Sequence, residues 1–378
     1  MNFDYTDEQN MLRDSIAKWA AGQYDFDKRR AALASEDAWK TNWATFAELG
    51  LLAAPLPEAF GGLGGGAIDV SVVAEEFGKA LVVEPYVPTV VIGGGALAYA
   101  GNAAQREEHL NAIAAGERVI AFAQAEPKSR WSLTDVATTA KKDGAGFVLN
   151  GHKAVVLGAP QADHLLVTAR TAGGQRDAKG VSLFLVPTSA KGVTTRDYPT
   201  MDGTRAAEVY FENVAVGAEA LIGPADTASP LVERIVDEAN AAYNHESVGC
   251  MRMMTDLTRE YAKTRKQFGK AIAEFQVLQH RMVDMFMATE ESYSMALRAT
   301  ILLADDRERA RAVSAAKVSI GKLARFVGQA AVQTHGGMGV TDEMRVGHYF
   351  KRTTMLDATF GNVDYHLKRY VALSPQAA

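Results

Sequence analysis

Arg265-Lys266-Gln267-Phe268-Gly269 closes one long helical pattern, and Gln333-Thr334-His335-Gly336-Gly337-Met338-Gly339 closes another. Each joins a cation or adjacent glycines to a polar amide, a combination suited to a nucleotide pyrophosphate held on backbone N–H groups. Each also has a plainer reading. Cations near a helix carboxyl end, followed by a glycine cap, satisfy the last carbonyls with no ligand at all. The surrounding chain decides between the two.

From about Pro224 onward the apolar period is helical. Val313, Ala316, Ile320, Leu323, Val327 and Ala330 advance in steps of three and four, and Phe275, Leu278, Met282 and Met285 do the same, as in the seam of a helix bundle. Upstream, between about Val119 and Leu221, the runs are short and β-rich: Phe147–Leu149, Val155–Leu157, Leu165–Thr168, Val181–Val186 and Glu208–Phe211. Asn150-Gly151, lying between two such runs, reads as a hairpin turn because both residues tolerate positive φ. This stretch predicts a barrel-like or sandwich β domain. Further upstream, Thr6-Asp7-Glu8-Gln9 has capping-box spacing before Met11, Leu12, Ile16 and Trp19, and helical patterns recur over Trp39–Leu49 and Val70–Leu81, broken between Pro55 and Gly66. The fold class expected is α+β multidomain: a helical domain over 1–118, a β domain over 119–225 and a helical bundle over 226–378.

Composition excludes several functions. A net charge of -5 on 378 residues, with 40 Lys and Arg dispersed, gives no footprint for nucleic acid. The apolar stretch Val87–Ala100 is interrupted by Pro88 and Gly93-Gly94-Gly95 and falls short of the roughly 18 residues a membrane span needs. Met1–Tyr5 has no secretory pattern, and a single Cys250 makes no intrachain disulfide, so a cytoplasmic location is expected. Neither a Gly-x-Ser-x-Gly elbow nor a zinc-ligand cluster occurs, so no metal site is predicted. The lone histidines His109, His164 and His280 are expected at the surface or as caps. Gly62-x-Gly64-x-x-Ala67 matches a dinucleotide fingerprint but has no strand before it and no βαβ unit after it, and reads as a loop between helices.

Taken as a set, Tyr261-Ala262-x-x-Arg265-x-Gln267-Phe268-Gly269-x-x-Ile272-x-x-Phe275-Gln276 and Gln333-x-x-Gly336-Gly337-x-Gly339-Val340, within an α–β–α order, resemble the acyl-CoA dehydrogenase family over nearly the whole chain. Pro57-Glu58-Ala59-Phe60-Gly61-Gly62 resembles a structural turn of that family. The resemblance implies that FAD is the cofactor, with Arg265 and Phe268 on its pyrophosphate and adenine side, Gln276 near it, and Gln333, Gly336 and Gly337 lining the ADP moiety. In that family these segments reach across a subunit interface, which implies an oligomer.

The pattern breaks where the flavin ring and the base belong. Phe122–Pro127 matches the start of the family's Glu-Pro-Gly-Ala-Gly-Ser-Asp segment, but Lys128-Ser129-Arg130-Trp131 replaces the rest and is expected to fill or reshape that space. In Lys153-Ala154-Val155-Val156-Leu157-Gly158, Val155 stands for the family's aromatic and Leu157 for its hydroxyl. Desaturating a thioester requires a carboxylate near Cα. The family's usual Tyr-Glu-Gly-Thr is here Thr359-Phe360-Gly361-Asn362, and its alternative position falls on Ala239, beside Glu238. Glu246 is the remaining candidate base; its other reading is a buried carboxylate paired with a neighbouring helix.

The function this resemblance implies is FAD-dependent α,β-desaturation of an acyl-CoA by the modified chain of a heteromeric enzyme acting on bulky or dicarboxylic substrates. Such a chain resembles the small subunits of pimeloyl-CoA dehydrogenases and of the paired enzymes of steroid catabolism. A second acyl-CoA dehydrogenase subunit and, as electron acceptor, an electron-transferring flavoprotein are implied as partners. The alternatives are a self-sufficient homotetramer with an unusual base and a flavin-free scaffold.

Overall fold

The computed structural model describes residues 4–35 and 37–374. Helices α1 (Asp7–Gln23), α2 (Phe26–Ala34), α3 (Ala38–Glu48), α4 (Ala67–Ala80), α5 (Gly95–Ala100) and α6 (Ala103–Ala114) come first. Strands β1 (Ile120–Ala123), β2 (Thr139–Asp143), β3 (Gly146–Leu157), β4 (His164–Arg170), β5 (Val181–Pro187), β6 (Val193–Pro199), β7 (Arg205–Val216) and β8 (Leu221–Ile222) follow. Helix α7 (Ser229–Thr264), a hairpin of β9 (Lys266–Gln267) and β10 (Lys270–Ala271), and helices α8 (Gln276–Ile301), α9 (Arg309–His335), α10 (Arg345–Ala358) and α11 (Val363–Leu373) complete the chain. The α, β, α order expected from the change of period is the order observed. No helix among the described residues is long and apolar enough to cross a membrane. Contacts divide the chain into a sheet unit, Ser35–Gly66 with Val83–Ala239, and a helical unit, Met1–Ala34 with Ala67–Val82 and Asn240–Ala378.

In the sheet unit eight strands form one sheet in the order β6-β7-β3-β2-β4-β5-β8, with β1 parallel to β4. Its core is the inward face of these strands, including Leu149, Val156, Val167, Phe184, Val209 and Phe211. The hairpin expected at Asn150-Gly151 is elsewhere: β2 and β3 pair Asp143 with Gly146, so the chain turns at Gly144-Ala145. Phe147–Leu149 and Val155–Leu157 belong to a single strand, β3, and Asn150-Gly151 marks a bulge in its pairing with β7. A Cβ on Gly151 would lie 2.4 Å from Thr138 Oγ1, and Asn150 Oδ1 accepts the Asn213 N–H at 2.8 Å. The two residues thus serve a close approach, a demand that also selects glycine. Glu58–Phe60 forms a short 3-10 turn between α3 and α4, with Gly61 at φ +76, in keeping with a loop there.

In the helical unit Thr6 caps α1 with the expected reciprocal box. Helix α9 buries Val313, Ala316, Ile320, Val327 and Ala330 as its spacing predicts, with Leu323 of that seam partly buried. The α8 seam begins later than predicted: of the four residues read there, Met285 is buried, and the line continues through Ala288, Ser292, Ala296 and Ala299. Helices α4 and α7 cross on two glycines. A Cβ on Gly78 would meet the Glu246 carbonyl at 2.1 Å, and one on Gly249 would meet the Glu75 carbonyl at 2.1 Å. Because backbone cannot yield as a side chain can, Gly249→Ala is expected to cost about 1–3 kcal/mol in urea unfolding. An unchanged midpoint would contradict the close crossing.

Candidate functional site

Arg265 is the first residue past α7. Its N–H donates to the Tyr261 carbonyl at 2.8 Å, and its own carbonyl accepts from Ile272 N at 2.8 Å. Pairing of Gln267 with Lys270 leaves Phe268 (φ +54) and Gly269 (φ +82) as a two-residue turn with both centres at positive φ, the geometry that suits a tight hairpin. Gly269 therefore closes a hairpin and not a helix. Glycine adopts this conformation freely, whereas a bulky residue is strained by it. The strained residue Phe268 is 92% exposed, with Phe275 edge-on at 6.0 Å. Gln276, the first residue of α8, is exposed beyond it.

The end of α9 lies at the same place. Tyr261 stacks on His335 at 4.4 Å and donates its hydroxyl to the His335 carbonyl at 3.5 Å. This contact joins the two glycine-bearing motifs within the helical unit. Gln333 is exposed, and a Cβ added at Gly336 or Gly337 would meet no described atom within 4 Å, so the backbone there is open to a ligand.

The turn between α10 and α11 is tightly held although it has no carboxylate. Phe360 (φ +54) stacks on Tyr243 at 6.3 Å. Its carbonyl accepts from His366 Nε2 at 3.1 Å. The buried Lys317 donates to the carbonyls of Leu356 (2.7 Å), Asp357 (3.2 Å) and Thr359 (3.0 Å), closing the carboxyl end of α10. Burial pushes the Lys317 ammonium down to about 8. Burial, with Lys317 and Arg369 nearby, pushes His366 down to about 3.

The unfolded chain therefore protonates His366 near 6.5 while the folded chain resists until about 3, so unfolded molecules hold more protons across that window. Stability is expected to fall as pH drops from about 6.5 toward 3, and His366→Gln should flatten that slope in chemical denaturation. An identical slope in the variant would contradict the buried neutral imidazole.

The candidate carboxylates are both engaged. In the helical unit Glu246 is 5% exposed, and its Oε1 accepts from Arg352 Nε on α10 at 2.6 Å. In the sheet unit Glu238 accepts from the Tyr99 hydroxyl at 2.7 Å and from Arg234 Nε at 3.1 Å. Burial, then the Glu238 carboxylate, raises the Tyr99 phenol.

Also in the sheet unit, the altered segments close on themselves. Lys128 and Arg130 are exposed and do not fill the interior, while the buried Ser129 hydroxyl accepts from Glu126 N and donates to Glu126 O. Val155 sits at φ +52 in a β3 bulge and is half exposed; its N–H reaches Glu208 Oε1 at 3.4 Å. Glu208 also binds the Tyr198 hydroxyl at 2.8 Å and His152 Nε2 at 2.5 Å. Neither the Val155 nor the Leu157 side chain offers a donor to a ring.

Three buried groups escaped the sequence reading. Lys153 is wholly buried, donating to Glu126 Oε1 (2.8 Å), the Gln124 carbonyl (3.1 Å) and Thr168 Oγ1 (3.0 Å); burial pushes it down to about 8 despite the Glu126 carboxylate. Its signal was a lysine in the apolar run Ala154-Val155-Val156; Lys317, beside the α9 seam residue Ala316, was the second. His109, expected at the surface, is 8% exposed and lies 5.4 Å from the His164 ring, with no sequence signal for the pairing.

Comparison with known proteins agrees with this architecture. Models of the N-terminal, middle and C-terminal domains of acyl-CoA dehydrogenase match residues 6–117, 121–214 and 236–372. The probable acyl-CoA dehydrogenase YngJ of Bacillus subtilis is 31% identical over 369 residues, covering 94% of this chain and 95% of that protein. Acyl-CoA dehydrogenase FadE12 of Mycobacterium tuberculosis is 31% identical over 361 residues, covering 91% of this chain and 90% of that one. The solved Tcur3481-Tcur3483 steroid ACAD structure superposes with a TM-score of 0.87 at 28% identity, covering 97% of each chain. With three family domains in the same order as the observed elements, and relatives matching from end to end, the chain belongs to the acyl-CoA dehydrogenase family.

Proposed function

We propose that this chain is the modified subunit of a heteromeric, FAD-dependent acyl-CoA dehydrogenase, supplying contacts to the dinucleotide tail while a second subunit supplies the base. The observation that carries the reading is Phe360. The turn that the resemblance assigns to the base is anchored by Lys317 and His366, yet it presents a phenyl ring. Glu246 and Glu238 are both tied to guanidinium groups, which disfavours the self-sufficient alternative.

The residues at the hairpin fit the tail of FAD. Arg265 offers a charge-assisted contact to phosphate, Phe268 a flat face, and Gly336-Gly337 an open backbone that a side chain would crowd, with Gln333 and Gln276 beside them. FAD, when bound, supplies the hydride acceptor for the desaturation. The sheet unit fits the ring less well, since Val155 and Leu157 bring no hydrogen-bonding side chain to it.

Helix α8 supports assembly with another chain. Val277, Val283, Phe286 and Met287 are 67%, 55%, 57% and 61% exposed, an apolar face that would be costly to leave in water. Bulky acyl groups fit the reading because the Tcur3481-Tcur3483 protein is a steroid ACAD, while dicarboxylic ones rest on the sequence resemblance alone. Electron-transferring flavoprotein is the acceptor expected by resemblance. Mixing the chain with acyl-CoA, alone and with its second subunit, tests the proposal. Flavin is expected to bleach only in the assembled pair; bleaching by the chain alone, lost in Glu246→Gln, would overturn it.

A further inference from the structure

Helix α7 enters the helical unit with a run of buried polar residues around its circumference: Asn240, Asn244, His245, Glu246 and Ser247 are all 5% exposed or less. Most have partners. His245 meets Thr300, Glu246 meets Arg352, and Ser247 donates to the Tyr243 carbonyl. Asn244 Nδ2 and Asp357 Oδ1 are both buried without a partner among the described residues, but they line one small cavity with room for about one water, which can bridge them.

Asn240 is different. It is fully buried, and neither its amide nitrogen nor its amide oxygen has a hydrogen-bond partner among the described residues. A buried amide with nothing to bind loses the hydration of both atoms, and native proteins rarely leave such a group unsatisfied without a use for it. Leucine would fill a similar volume at no such cost, so the asparagine works against the free protein's stability. Its place on the helix indicates what it awaits. Asn240 lies three residues before Tyr243, on the same helical face, and the Tyr243 ring stacks on Phe360, in the turn that the resemblance assigns to the reacting carbons.

Only a group that both donates and accepts satisfies the two atoms together. A hydroxyl does so; a methylene satisfies neither, and a ketone or carboxylate leaves the amide oxygen unpaired. We infer that Asn240 is a specificity-determining residue that hydrogen-bonds a hydroxyl on the acyl group, so that the preferred substrates are hydroxylated acyl-CoA thioesters and not plain alkanoyl ones. This rests on the proposed action on acyl-CoA. The pantetheine amides of CoA share the same donor-and-acceptor chemistry and are the competing source.

The test uses the flavin-loaded assembled enzyme and two acyl-CoA thioesters of equal chain length, one plain and one with a hydroxyl at the γ or δ carbon. Affinity is measured by titration calorimetry, for wild type, Asn240→Leu and, should leucine not fold, Asn240→Ala. Wild type is expected to favour the hydroxylated ligand about tenfold or more, and the variant to bind both alike. Asn240→Leu should also melt higher than wild type in the absence of ligand, opposite in sign to its effect on binding. A purely structural asparagine would move both readouts down together.

Equal loss of affinity for the two ligands would assign the amide to pantetheine and overturn the inference. So would an unchanged preference, the result expected if a trapped water satisfies Asn240. If neither ligand binds wild type, the proposed action on acyl-CoA itself fails, an outcome distinct from binding without discrimination.

Discussion

Glu246→Ala is expected to destabilise the helical unit by about 3–5 kcal/mol, because it takes the Glu246 carboxylate away from the largely buried Arg352 guanidinium. The Glu246 and Arg352 side chains are 6% and 14% exposed, and the bond between them is 2.6 Å long, so solvent screens the pair little. The loss is thus far above the median for a surface ion pair. Replacing both residues, Glu246→Leu with Arg352→Met, should recover most of it, since a buried pair exchanged for apolar groups of similar volume is often neutral or stabilising. The same substitutions separate structure from catalysis. If Glu246 were the base, Glu246→Gln would lower turnover by about 10²–10⁴-fold in protein that still folds. With the base on the second subunit, the double variant is expected to fold and, in the assembled enzyme, to turn over near the wild-type rate.

The second large effect is on cofactor retention. On the proposed placement of the cofactor, Arg265→Ala removes a charge-assisted contact of about 1.5–3 kcal/mol, which corresponds to roughly tenfold to hundredfold weaker flavin retention in the assembled enzyme. Phe268→Gly should weaken retention as well, but without harming the free chain. It removes a left-handed strain of about 1–2 kcal/mol, which offsets the roughly 1 kcal/mol of unfolded-state entropy that glycine adds. A local rule broken at an exposed aromatic is the expected mark of a binding residue. Thermal melts of the free chain and flavin remaining after gel filtration of the assembled enzyme measure the two halves. Full flavin content in both variants would remove the hairpin from the cofactor site.

The sequence was legible where information is local. The capping box at Thr6, the seam of α9 and the switch to short β-rich runs near Val119 rest on residues a few positions apart, and each reappears in the structure. Asn150-Gly151 misled because a bulge pressed against Thr138 and a hairpin turn ask for the same residues. At Arg265–Gly269 the helix end and glycine cap read from the sequence give way to a hairpin, since a glycine can end a helix or turn a hairpin with equal ease.

Buried charges were the least visible. Lys153 finds Glu126 across 27 positions and Glu246 finds Arg352 across 106, separations over which no periodicity carries a signal. That Phe360 stands where the resemblance expects a carboxylate was plain from the sequence. What only the structure adds is that this turn is pinned in place by Lys317 and His366 all the same.

The decisive measurement is the flavin bound per chain when the protein is purified alone and then with the second subunit proposed above. The division of labour argued from Arg265, Phe268 and Phe360 predicts little flavin on the isolated chain and its recovery on assembly. About one flavin on each isolated chain, held through Arg265→Ala and bleached by an acyl-CoA, would contradict it.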